Sequence, residues 1–72
     1  MYQGFNIAER LVKVRESHNF TQKEVAKMIG MHERTYQDNE YGKNIPKATT
    51  IIALARLYGV SADYLLGLKD TP

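Results

Sequence analysis

Residues 21–42, TQKEVAKMIGMHERTYQDNEYG, decide how this chain is read. They predict two short helices separated by a glycine. Thr21 followed three residues on by Glu24 is a capping box, in which side chain and backbone satisfy each other's free N–H groups at a helix start. Val25, Ala26 and Ile29 recur at helical spacing and form one apolar stripe. Gly30 stands where the backbone needs a left-handed residue to turn sharply, and Met31 after it reads as an apolar plug. A second helix follows from about Glu33 to Tyr41, with Tyr36 as its inward residue and Gly42 as its stop. Two short helices joined by one sharp turn cannot bury their own apolar faces, so the rest of the chain is read as their scaffold.

Working outward, residues 1–5 read as a lead-in. Asn6 with Glu9 is a capping-box-like pair expected to open the first helix, along which Ile7, Leu11 and Val14 recur with Ala8 and Val12 beside them. Asn19 tolerates the left-handed conformation that ends helices, and Phe20 precedes the Thr21 cap. Beyond Gly42, a loop runs to Pro46 with Ile45 expected to fold inward. Ala48, Ile51, Ile52, Leu54, Ala55 and Tyr58 make the fourth helix apolar over much of its circumference, so it is expected to be the central, most buried one. Gly59 stops it. Ser61 caps a fifth helix with Asp63 in its first turn, where the macrodipole favours a negative charge, and Gly67 ends it. The predicted fold is all-α: one compact bundle of five short helices over residues 6–67, with residues 68–72 as a tail.

At 72 residues the chain suits one small domain, and 43% hydrophobic content argues against disorder. It contains no cysteine, which removes disulfides and thiolate metal sites. The apolar run at residues 51–55 is too short to span a bilayer, and the first five residues show no export signal; the expected location is cytoplasmic. A net charge of +2 leans mildly towards a polyanionic partner. There is no glycine-rich phosphate loop, no nucleophile–base set and no metal-ligand cluster. His18 and His32 lack a third partner. An enzyme is not expected, nor is a cofactor or metal.

The segments ERLVKVRE (9–16), FTQKEVAKMIGM (20–31), the Glu40–Gly42 closure and LARLYGVSADYLL (54–66), in this order and spacing, resemble the Xre/Cro/phage-repressor (lambda-repressor-like) helix-turn-helix domain. The resemblance spans Asn6 to Leu66. It implies that the first helix of the pair lies across a DNA backbone while the second enters the major groove. It places His32, Glu33, Arg34, Gln37 and Asp38 at base-contacting positions. It places Gln22, Lys43 and Asn44 at the sugar–phosphate backbone, where Lys23 adds a cation and Lys27, Lys47 and Arg10 are further candidates. It also implies a structural ion pair between Arg15 and Glu40.

The residue chemistry is compatible with these roles and leaves alternatives open. Arg34 can bond guanine O6 and N7 in parallel, or pair with Asp38 four residues on. Gln37 can read adenine or bind water; Glu33 can accept from cytosine N4 or face solvent. His32 stands where the family has a Ser or Thr cap, and Asn39 where it has an apolar residue. Tyr64, Leu65 and Leu68 are either core or a dimer patch. The leading expectation is a sequence-specific, double-stranded DNA-binding transcriptional regulator. It is expected to act as a homodimer on a pseudo-palindromic operator and by competition with, or contact to, RNA polymerase. The alternative is an antitoxin-type or adaptor module whose acidic third helix binds a protein. No membrane partner is expected.

Overall fold

The computed structural model describes residues 5–72, with side chains from Ile7 onward. Five helices follow in order: α1 (Phe5–Ser17), α2 (Gln22–Met28), α3 (Glu33–Glu40), α4 (Ala48–Tyr58) and α5 (Ala62–Leu65). No strand occurs among the described residues.

Local chemistry sets most boundaries. The Thr21 hydroxyl accepts from Glu24 N–H at 3.1 Å, and the Glu24 carboxylate accepts from Thr21 N–H at 2.8 Å. Ser61 Oγ accepts from Tyr64 N–H at 3.1 Å to start α5. At the end of α2, Gly30 takes φ +71°. Gly30 N–H donates to Lys27 O at 3.2 Å and Met31 N–H to Ala26 O at 2.8 Å. This is a Schellman closure, which satisfies two carbonyls left over at the helix end. Asn19 does the same for α1 at φ 59°, with Phe20 N–H reaching back to Arg15 O at 3.3 Å. His32 stands at the N-cap of α3 but makes no side-chain cap bond.

The core draws on every helix: Ile7, Leu11 and Val14 from α1, Val25 and Ala26 from α2, Tyr36 from α3, Ile51, Leu54 and Tyr58 from α4, and Tyr64 and Leu65 from α5. Fully burying a side chain such as Leu11 or Leu54 contributes ~1.5–3 kcal/mol. Helix α1 packs against both α3 and α5. His18, Phe20 and Tyr58 cluster their rings at one edge, His18 and Tyr58 having centroids 4.8 Å apart.

Several expectations are corrected. Asn6 does not precede the first helix, because Phe5 already belongs to α1; the remainder of the expected lead-in lies outside the described residues. Helix α4 is not buried all round: Ile51, Leu54 and Tyr58 face inward while Ile52 is 49% exposed. Neighbours reach only one face of that helix, so its wide apolar circumference is half used. Ile45 is 72% exposed rather than folded inward. Residues 68–72 fold back on the bundle. Leu68 N–H donates to Asp63 O at 2.8 Å, Ser61 N–H donates to Pro72 O at 3.1 Å, and Arg10 reaches Lys69 O at 3.0 Å.

Candidate nucleic-acid interface

Glu40, the last residue of α3, lies on the core side and its side chain is closed to solvent. Arg15 from α1 grips it with two parallel bonds, Nε to Oε2 at 2.7 Å and Nη2 to Oε1 at 3.1 Å. The third arm of the guanidinium donates to Phe20 O at 2.8 Å. Tyr36 Oη donates to Glu40 Oε2, and Gln22 Nε2 donates to Oε1 at 2.9 Å. Four donors therefore use the acceptor capacity of one carboxylate. The hydrogen bonds to Glu40 hold the Arg15 pKa above its ordinary value. Burial first, and Glu40 second, push the Tyr36 hydroxyl far above the usual tyrosine range. This knot ties α1, α2 and α3 together and sets the angle at which α3 leaves the body.

The knot also takes up Gln22. Its amide nitrogen is bound to Glu40 and its oxygen accepts from Tyr41 Oη at 3.4 Å. Gln22 thus sits at the start of α2 in a fixed orientation, with one amide N–H left over.

At the start of α3, the N-cap His32 and the helical Glu33 and Arg34 are exposed. Gln37 is half-buried and donates to Glu33 Oε2 at 3.2 Å. Asp38 is mostly covered, its side chain 21% exposed, and pairs with Arg34 at 3.6 Å. Of the three acids on this helix, Glu40 is buried and neutralised, Asp38 is covered beside a cation, and Glu33 alone stands out. The exposed face of α3 is therefore less acidic than its sequence, with Glu33 and Arg34 side by side on it.

Lys23, Lys43 and Asn44 are exposed. The loop carrying Lys43 and Asn44 is held by Asp38 O, which accepts from both their N–H groups at 3.0 and 3.3 Å. Asn39 is buried, and its amide fastens the same loop by donating to Asn44 O at 3.2 Å.

Two groups of predicted residues lie elsewhere. Arg10 is taken up at the far end of the sequence. Its guanidinium lies 4.2 Å over the Tyr64 ring, donates to Tyr64 O at 2.9 Å and pairs with Asp70 at 3.7 Å. A cation–π contact and two carbonyls hold it, so it is not a free phosphate contact. The expected dimer patch is mostly core: Tyr64 is 7% and Leu65 0% exposed, leaving Leu68 at the surface. Four-residue α5 has too few positions to serve both core and surface. Sequence reasoning missed the Tyr36 and Gln22 bonds to Glu40. Only the four-residue spacing of Tyr36 and Glu40 signals either of them.

The helix-turn-helix family model matches residues 11–65. The chain belongs to the Xre/Cro/phage-repressor helix-turn-helix family. Among relatives, it is 39% identical over 64 residues to YobD, an uncharacterized HTH-type transcriptional regulator of Bacillus subtilis, covering 89% of this chain and 57% of YobD. It is 35% identical over 65 residues to the HTH-type transcriptional regulator ImmR of the same organism, covering 90% of this chain and 50% of ImmR. The helix-turn-helix chain thus spans about half the length of these curated relatives. A solved transcriptional regulator from Listeria innocua superposes with a TM-score of 0.79 at 26% identity, over 85% of this chain and 57% of that one. These relatives are named as regulators and not as enzymes. No helix among the described residues is long and apolar enough to cross a membrane.

Proposed function

We propose that this helix-turn-helix chain is a sequence-specific, double-stranded DNA-binding transcriptional regulator that inserts α3 into the major groove. An eight-residue helix is about 12 Å long, and the groove is about 12 Å wide. The observation that carries the reading is the inward placement of the acids: Glu40 is sequestered by Arg15 and Asp38 sits beside Arg34. His32, Glu33, Arg34 and Gln37 then face base edges, while Gln22, Lys23, Lys43 and Asn44 take phosphates. The same placement removes the main motive for an acidic, protein-binding α3. Two copies on a pseudo-palindromic operator, in the cytoplasm, would act by competing with or contacting RNA polymerase. Selection from random duplexes at moderate salt tests the proposal. An enriched, two-fold-related motif is expected; absence of any enriched motif would refute it.

A further inference from the structure

Asp38 Oδ1 is closed to solvent and has no hydrogen-bond partner among the described residues. A carboxylate oxygen removed from water is costly unless a counter-charge stands beside it. Among the described residues, the cation paired with it is Arg34, whose Nε lies 3.6 Å away. The two side chains differ sharply in freedom: that of Asp38 is 21% exposed and that of Arg34 is 76% exposed. The acid is the more fixed partner, and the arginine is the freer one beside it.

The choice of atom matters. Nε is the guanidinium edge nearest the carboxylate, and no hydrogen bond engages either Nη group among the described residues. A guanidinium whose Nε edge faces a carboxylate leaves its two Nη groups as a parallel pair of donors. Guanine offers O6 and N7 as a matching pair of acceptors in the major groove. Adenine has a donor at the same place as O6, and the pyrimidines lack the pair.

We infer that Arg34 is a guanine-reading residue and that Asp38 is the positioning residue that aims it. The inference rests on the proposed DNA-binding function and deepens it. Asp38 is thereby separated from the base-contacting set to which its sequence position assigned it. It acts on the base through Arg34. Its negative charge opposes nearby phosphates whatever the sequence, so its contributions to affinity and to discrimination have opposite signs.

The test is random-duplex selection followed by binding titrations with the whole chain, Arg34→Ala, Arg34→Lys and Asp38→Asn, each first checked for helical content and Tm. The wild-type motif is expected to contain a fixed guanine in each half-site. Arg34→Ala should lose the preference at that one position by roughly tenfold or more, and Arg34→Lys should restore little of it, because a point charge lacks the fork. Asp38→Asn should reduce guanine discrimination by roughly two- to fivefold while binding to unrelated duplexes holds or strengthens. A merely structural Asp38 would instead weaken all duplexes alike, and that result overturns its positioning role. A motif whose guanine survives Arg34→Ala overturns the inference and leaves the proposed function standing. No motif at all removes both.

Discussion

Gln22 Nε2 donates to Glu40 Oε1 at 2.9 Å. One bond thus joins the first residue of α2 to the last residue of α3, through a carboxylate that Arg15 also holds. A single buried charge therefore adds to the turn and the shared core in placing the two helices.

Glu40→Gln keeps the shape of that carboxylate and removes its charge, leaving Arg15 with a side chain 13% exposed and no counter-ion. Breaking a buried pair from one side costs ~3–5 kcal/mol. The expected outcome is a Tm lower by tens of degrees, or an unfolded chain, by circular dichroism. A Tm unchanged within a few degrees would show that the pair does not hold the fold.

Alkaline pH should unfold the domain through Tyr36. Its folded pKa lies above the ordinary tyrosine value of 10.0 because of burial and then Glu40. Below pH ~10 both states bind the phenolic proton and the stability is fully present. Above it the unfolded tyrosine ionises while the folded one stays neutral, so stability falls as pH rises towards the folded pKa. Tyr58, also raised by burial, adds in the same direction. Tm should drop steeply above pH ~10, and Tyr36→Phe should flatten that drop while lowering Tm at neutral pH. An equal slope in the variant would contradict this.

Gly30→Ala tests the turn in isolation. A Cβ there meets nothing within 4 Å, so space is no obstacle. The cost is the φ of +71° itself, ~1–2 kcal/mol for a left-handed non-glycine residue. Chemical denaturation should show a loss of that size with an unchanged m-value, and Gly30→Asn should lose less.

Leu65→Ala and Leu68→Ala should separate cleanly. Leu65 is fully buried and its truncation should cost ~2–5 kcal/mol. Leu68 is 62% exposed, and its truncation should stay within ~0.5 kcal/mol. Equal losses would mean that the end of α5 is packed differently.

Lys43→Ala should lower affinity for all duplexes alike and reduce the magnitude of the log-affinity against log-salt slope by about 0.9, the value for one phosphate contact. An unchanged slope would place Lys43 away from the backbone.

The sequence alone carried the five helices and most of their ends. The Thr21–Glu24 and Ser61 caps, the Asn19 terminus and the Gly30 turn are written in residues within a few positions of each other. Each acts on backbone groups of its own helix, so no distant partner is needed to read it. The resemblance to the family located Arg15 and Glu40 as a pair. Tertiary structure decided which side chains remain available. Arg10 is spent on Tyr64, 54 residues away, and Gln22 is oriented by Glu40, 18 residues away, with one amide N–H left over. Tyr64 and Leu65 went to the core, and Asp38 was covered beside Arg34. An acidic or apolar residue looks the same in sequence whether it faces water or a neighbouring helix; only the packing of α1 and α3 around Glu40 took Asp38 and Glu40 of α3, within residues 21–42, off its exposed face and left Arg34 there beside Glu33.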